Sequence, residues 1–291
     1  MSCELRRAHA DVTVETRRGR LRGRVGDGVA TFKGVPYAAP PFGANRLRPP
    51  RPVAPWVGIR DALVFVPKAP QVPYPPRIAE GPAELVGVGE DCLTLNIWTP
   101  DVDAARRPVM FWIPGGMFEF HATGATAYYD GGRFARDGVV CVTINYRVGA
   151  EGFLCLCDGI ANVGLLDQIA ALEWVHENIA AFGGDAAKLT IFGESAGGMS
   201  VATLCSMPRA KGLFQRAIVQ SGNTTSASTA KRIGHRFAEM LGVDATREAI
   251  ARPRVRARTF SYSISLCPTS SRPCPDRARR PRRVPHGPRS A

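Results

Sequence analysis

Leu189-Thr190-Ile191-Phe192-Gly193-Glu194-Ser195-Ala196-Gly197-Gly198 decides the fold of this 291-residue chain. The run from Leu189 to Phe192 is short and apolar, as a buried strand is, and the small apolar stretch from Ala196 to Cys205 can open a buried helix. Between them, the Gly193-x-Ser195-x-Gly197 spacing lets the backbone reverse sharply. The serine then takes strained dihedrals and points its hydroxyl into a cleft, while the flanking glycines remove side chains that would collide there. Strand, turn and helix together predict a nucleophilic serine on an α/β scaffold rather than a serine in an ordinary glycine-rich loop.

Upstream, Val109-Met110-Phe111-Trp112-Ile113 reads as a buried parallel strand running into Pro114-Gly115-Gly116-Met117-Phe118. Such a turn can aim backbone N–H groups at an oxyanion. A β-rich opening to about residue 35 and a Pro-rich loop region to about 88 precede alternating strands and helices. Strands are expected near 93–99, 108–113, 139–144, 188–192 and 216–220. The best helix is 165–182, apolar at Leu166, Ile169, Leu172, Val175 and Ile179 and stopped by Gly183-Gly184.

Further segments carry a specific resemblance. They are Phe32-Lys33-Gly34-Val35-Pro36-Tyr37-Ala38 with Pro40-Pro41, Glu90-Asp91-Cys92-Leu93-Thr94-Leu95-Asn96, Asn145-Tyr146-Arg147 and Asn162-Val163-Gly164-Leu165-Leu166-Asp167-Gln168. Trp174-Val175, Asn178-Ile179, Phe182-Gly183-Gly184-Asp185, the Ser195 segment and Gln220-Ser221-Gly222 follow in the same order. Over about residues 12–225 the chain resembles the amino-terminal half of a type-B carboxylesterase, the family that also contains the cholinesterases. The resemblance implies an α/β-hydrolase fold, a mostly parallel central sheet flanked by helices, truncated after the nucleophile half. It implies Ser195 as nucleophile, the N–H groups of Gly116, Met117 and Ala196 as oxyanion hole, and Glu194 lining the substrate gorge. It also implies Arg46–Glu90 and Arg147–Asp167 as ion pairs, a small carboxylic ester as substrate, and no metal or organic cofactor.

Two residues depart from the family pattern. Pro114 stands where the family usually has His or another polar or aromatic head, and Met117 where it usually has Gly or Ala. A left-handed backbone at a non-glycine residue costs about 1–2 kcal/mol, and the Met117 side chain would crowd the acyl pocket. The donor itself survives, because Met keeps its N–H.

In this fold the triad runs Ser, then Asp or Glu, then His, and in the type-B family the acid and His lie more than a hundred residues past the serine. Only residues 196–291 follow Ser195. The available acids are Glu239, Asp244, Glu248 and Asp276, and the available bases are His235 and His286; none lies in a segment resembling the family's motifs. His235 falls on an amphipathic helical pattern, and His121 and His176 precede the serine at non-catalytic family positions. The triad acid and His are therefore expected to be absent from this chain.

Composition divides the chain into an incomplete esterase domain, residues 10–250, and a tail, 251–291. The tail holds eleven Arg, no Lys, seven Pro, six Ser and the single acid Asp276, and so carries +10 of the chain's net +13. It cannot bury enough apolar surface to offset its ordering entropy, so disorder is expected. With only Phe260 and Tyr262 as aromatics, and no folded nucleic-acid-binding motif, it gives no reason to expect nucleic acid as a partner. Met1 to Arg24 lacks a signal-peptide apolar stretch, and no run approaches a membrane span. The eight cysteines include no Cys-x-x-Cys pair. In secreted relatives the Cys92 position pairs with a cysteine just upstream, where this chain has Ala69. A cytoplasmic, membrane-free protein is the expectation; oligomeric state and the identity of the ester are not legible.

Three functional readings follow: a serine carboxylesterase, an inactive fragment of one, and a cholinesterase-like binding protein that uses the fold for recognition. Retention of Ser195 argues against the last, since a binder has no use for an elbow serine. The Arg/Pro/Ala/Ser composition of the tail is that of a shifted reading frame in a GC-rich gene. Sequencing the locus should find the family's second half encoded in another frame; an unrelated downstream sequence would refute the shift.

Overall fold

The computed structural model describes residues 10–71, 86–120, 123–156, 158, 160–222 and 228–252. Within them one nine-stranded sheet is formed by β1 (Ala10–Thr16), β2 (Gly19–Gly26), β3 (Val29–Pro36), β4 (Ile59–Asp61), β5 (Thr94–Thr99), β6 (Arg107–Ile113), β7 (Val140–Ile144), β8 (Gly184–Glu194) and β9 (Arg216–Gln220). The lateral order is β1-β2-β3-β5-β7-β6-β8-β9, with β4 paired to β2. The sheet is mixed. β1, β2, β3, β5 and β7 join antiparallel, whereas β7, β6, β8 and β9 run parallel, and the parallel half carries the serine turn. All five strands expected from the sequence are present.

The helices are α1 (Gly132–Arg136), α2 (Gly149–Phe153), α3 (Val163–Asn178), α4 (Ala196–Ser206), α5 (Ser228–Leu241) and α6 (Arg247–Ala251). The helix expected over 165–182 forms as α3 followed by a 3₁₀ turn, Ile179–Phe182, that ends at Gly183 with φ 76°. A left-handed residue closing a helix is what glycine allows most cheaply. Every residue of β5 and of β7 is buried, because both strands are covered on both faces. Leu95, Ile97, Phe111, Val142, Ile144 and Ile191 are fully buried in the main core, each worth about 1.5–3 kcal/mol of transfer free energy. Phe32 meets Phe182 edge-on at 4.9 Å, tying β3 to the end of the α3 region.

A second, smaller core of Leu47, Leu154, Leu156, Phe237, Ala238 and Ile250 seats α5 and α6 on the loop after α2. Its polar rim is held by Arg247, which donates to both carboxylate oxygens of Asp158 and to the Leu47 carbonyl. Arg46 corrects the sequence expectation: its guanidinium donates to Glu151 of α2, not to Glu90, which is exposed. Arg46 also reaches the Ile250 carbonyl at 3.4 Å. Both acids are close in the chain to family-type motifs, and only packing against α2 distinguishes them.

The other expected ion pair is present and fully buried. Arg147 Nε and Nη2 donate to the two Asp167 oxygens at 2.8 and 2.6 Å, and the Arg147 backbone N–H adds a third bond at 3.1 Å. Burial alone would lower the guanidinium pKa, but the Asp167 charge and its hydrogen bond outweigh it and the net shift is upward. Cys92 and Ala69 are both buried, and Cys92 is a free thiol whose pKa burial pushes well up. Among the described residues no helix is long and apolar enough to cross a membrane.

Removing one partner of a buried, bidentate pair leaves the other charge uncompensated, at about 3–5 kcal/mol. Asp167→Ala should therefore lower the urea midpoint sharply, and the double variant Arg147→Met/Asp167→Leu should recover much of the loss. Equal stability of wild type and Asp167→Ala would show that the pair does not hold α3 to the end of β7.

Candidate active site

β8 delivers its last residue, Glu194, to the parallel edge of the sheet, and the chain reverses at Ser195 into α4. Ser195 has φ 55° and ψ −123°, a conformation reserved almost entirely for glycine and costing about 1–3 kcal/mol. Two backbone bonds hold it there. Its N–H donates to the Gln220 carbonyl of β9 at 2.9 Å, and its carbonyl accepts from Met199 N–H of α4 at 2.8 Å.

The glycines around it are needed for space. A Cβ on Gly197 would stand 2.0 Å from the Ile113 carbonyl oxygen, one on Gly193 2.6 Å from the Gly197 carbonyl carbon, and one on Gly198 2.5 Å from the Gln220 oxygen. These contacts press the first turn of α4 against the ends of β6 and β9. The half-buried Ser195 is thereby presented at the amino-terminal end of α4, where the helix dipole favours negative charge.

The turn after β6 lies directly alongside. From Gly115 Cα the direction of a side chain meets the Glu194 carbonyl at 2.7 Å and both Glu194 Oε2 and Ser195 Cβ at 3.4 Å. The backbone is left-handed at Gly116 (φ 106°), Met117 (φ 56°) and Phe118 (φ 61°). Met117 therefore incurs the penalty foreseen for a non-glycine residue, about 1–2 kcal/mol, and its side chain is 48% exposed.

Several bonds staple this turn. Glu119 and Phe120 N–H both donate to the Gly116 carbonyl at 3.0 Å, and Gly149 N–H donates to that of Phe118 at 2.6 Å. The buried Tyr146 hydroxyl donates to the Pro114 carbonyl at 2.8 Å, and burial raises its pKa so that it stays a donor. Phe118 packs on Phe153, ring centroids 4.7 Å apart. Among the described residues no protein acceptor takes the N–H of Gly116, Met117 or Ala196. Glu194 is exposed beside them.

The other sequence candidates are not brought to the serine. Among the described residues no histidine or carboxylate is hydrogen bonded to the Ser195 hydroxyl. His235 is exposed on α5, His176 is exposed on α3, Glu239 pairs with Arg236 on the same helix, and Asp244 and Glu248 are exposed. His121, Asp276 and His286 lie outside the described residues. Among the described residues no group of His, Cys, Asp and Glu is arranged to hold a metal.

Sequence reasoning missed the supports of the site. Tyr146 clamping Pro114, and Gln220 holding the Ser195 N–H, sit in segments singled out as motifs, yet no role followed from them. Both contacts span dozens of residues and carry no local periodicity.

The family model described as "Carboxylesterase family" matches residues 10–257. The para-nitrobenzyl esterase of Bacillus subtilis (strain 168) is 44% identical over 238 residues, which are 79% of this chain and 48% of that protein. Human carboxylesterase 3 is 44% identical over 232 residues, 75% of this chain and 40% of its own. The crystal structure of the Geobacillus stearothermophilus carboxylesterase EST55 at pH 6.8 superposes with a TM-score of 0.73 at 46% identity, covering 81% of this chain and 50% of that one. The chain thus spans about half the length of the relatives it matches.

Gly197→Ala places a methyl group against a main-chain oxygen that cannot swing aside, an overpacking cost of about 1–3 kcal/mol. A lowered thermal midpoint is expected for Gly197→Ala and none of comparable size for Gly87→Ala, where a Cβ meets nothing within 4 Å and the backbone is not left-handed. Equal midpoints would deny the close approach of α4 to β6.

Proposed function

The chain belongs to the carboxylesterase family, and from that premise we propose that it carries the nucleophile and oxyanion half of a serine carboxylesterase site. Ser195 Oγ attacks the carbonyl carbon of a carboxylic ester, and the carbonyl π pair moves onto oxygen. The N–H groups of Gly116, Met117 and Ala196 receive that oxyanion. Collapse of the tetrahedral species expels the alcohol, which takes up the proton lost by Ser195, and leaves an acyl-enzyme that water hydrolyses to the acid. Glu194 lines the approach to the serine.

The observation that carries this reading is the strained Ser195 backbone held against a turn whose Gly116 and Met117 N–H groups have no protein acceptor among the described residues. Each pre-aimed donor is worth about 10²–10³ in rate. The proton acceptor is the part this chain does not supply from its described residues, so the chain by itself is acylated slowly and turns over negligibly; loss of a triad member costs about 10⁴–10⁶ in kcat. The substrate class is a small carboxylic ester, no cofactor takes part, and the setting is cytoplasmic. Residues 10–250 form the esterase part and 251–291 a separate basic tail.

Imidazole can stand in for the missing base. With p-nitrophenyl butyrate and added imidazole, peptide mass spectrometry should find a butyryl group on Ser195 of the wild type and none in Ser195→Ala, with little steady turnover when imidazole is omitted. An unacylated Ser195 in the folded protein would overturn the nucleophile assignment. Ser195-dependent turnover without imidazole would place a base inside this chain and make His235 and His286 the next residues to substitute.

A further inference from the structure

Met117 is the one residue of its turn that opens fully to solvent. From Ile113 to Phe120 every residue is buried except the half-buried Gly116 and Met117 itself, which is 48% exposed. The other described methionines are placed differently. Met207 is buried, Met110 and Met199 are half-buried, and Met240 on α5 is 42% exposed. A thioether is oxidised where an oxidant can reach its lone pair, so exposure singles out Met117 and Met240.

What separates these two is the chemistry within reach of the sulfur. The N–H groups of Gly116 and Met117 have no protein acceptor among the described residues. Their directions are fixed, because the backbone is left-handed at 116, 117 and 118 and is stapled by Glu119 and Phe120 N–H on the Gly116 carbonyl and by Gly149 N–H on that of Phe118. The donors therefore cannot turn away from an acceptor created beside them. A thioether sulfur is a weak acceptor and leaves them free. A sulfoxide is polar, and from Met117 its oxygen reaches the residue's own N–H through a ring the size of a γ-turn's. Met240 lies in the last turn of α5, where backbone N–H groups belong to the helix ladder.

We propose that Met117 is an oxidation site for hydroperoxides, and that its sulfoxide closes the oxyanion hole from within. The sulfur lone pair attacks the distal oxygen of the hydroperoxide, and the S–O bond forms as the O–O bond breaks. The hydroperoxide's own proton passes to the departing oxygen, which leaves as an alcohol, or as water from hydrogen peroxide. Sulfur loses two electrons and the peroxide gains them. The new oxygen accepts the Met117 N–H, and its partial negative charge disfavours an oxyanion at the neighbouring Gly116 donor. Gly or Ala, usual at this position in the family, offers no atom to oxidise. The consequence for ester cleavage rests on the function proposed above; the oxidation and the capture of the N–H do not.

The test exposes the full 291-residue chain to increasing hydrogen peroxide. Peptide mass spectrometry should find sulfoxide at Met117 and Met240 well before Met207. In proton–nitrogen NMR spectra the Met117 amide should move downfield in proportion to its own sulfoxide. With p-nitrophenyl butyrate and imidazole, butyrylation of Ser195 should fall about hundredfold or more on oxidation. It should return after treatment with methionine sulfoxide reductases A and B, which between them reduce both sulfoxide epimers. Peroxide should leave the butyrylation rate of Met117→Leu where it was in the untreated variant, and should depress that of Met240→Leu as it does the wild type. The reductase reversal is read on the wild type and does not depend on the folding of a variant. Met117 that resists peroxide at doses converting Met240, or a Met117 amide unmoved by oxidation, would overturn the inference. So would a peroxide-induced loss that persists in Met117→Leu. If Ser195 is not butyrylated even before oxidation, a shifted Met117 amide upholds the oxidation site and the esterase reading fails alone. Butyrylation untouched by complete Met117 oxidation sinks the inference and leaves that reading standing.

Discussion

The contact on which the site depends is the approach of Gly197 to the Ile113 carbonyl. With no side chain in the way, the first turn of α4 rests directly on the end of β6. Two segments separated by some eighty positions, the Ser195 turn and the Pro114–Phe118 turn, are thereby forced side by side. A side chain at Gly193 or Gly197 would drive them apart, and one at Gly198 would push α4 off the end of β9. The strain at Ser195 persists because the surroundings over-determine it. β9 holds its N–H and α4 holds its carbonyl.

Behind that contact, three consecutive residues at the end of β7 distribute the supporting bonds. Asn145 accepts from Thr123 and Gly124, fixing the loop that follows the Pro114–Phe118 turn. Tyr146 grips Pro114, and Arg147 is paired with Asp167 on α3. The tripeptide is buried throughout. Its three side chains therefore point to three different elements without access to water, which is why each needs its own polar partner. Pro114, a departure from the family pattern, fits here through its carbonyl. The clamp uses the main chain and is indifferent to the side chain at that position.

The half of the sheet that carries the Ser195 turn is also the half that is least finished. β5 and β7 lie at the centre of the whole sheet and are buried in every residue, whereas β9, at the end of the parallel half, is exposed in every residue. The small second core around Leu47 and Phe237, with its Arg46–Glu151 and Arg247–Asp158 bonds, stabilises the side of the molecule that carries α5 and α6 and contributes nothing to the cover of β9. The stability of the described residues and the completeness of the site are therefore separate matters. The first rests on a core of aliphatic and aromatic side chains already assembled, and the second on an edge.

The sequence by itself determined the fold class, the five parallel and antiparallel strands around the serine turn, the long helix with its glycine stop and the Arg147–Asp167 pair. Each is encoded by a local pattern: an apolar run, a 3.6-residue period, a glycine spacing, or a motif with a known counterpart. It also marked position 117 as costly, because the left-handed requirement belongs to the turn and not to the rest of the chain. Only the tertiary structure decided that Arg46 turns to Glu151 rather than Glu90, that Tyr146 and Gln220 hold the two halves of the site, and that His235 faces solvent. These outcomes depend on which distant surfaces meet, and a linear pattern carries no record of that. The unequal burial of the two sheet faces is of the same kind: Trp112, Phe192 and Ile218 look like core in sequence, and only their register across β6, β8 and β9 reveals that the cover ends before the sheet does.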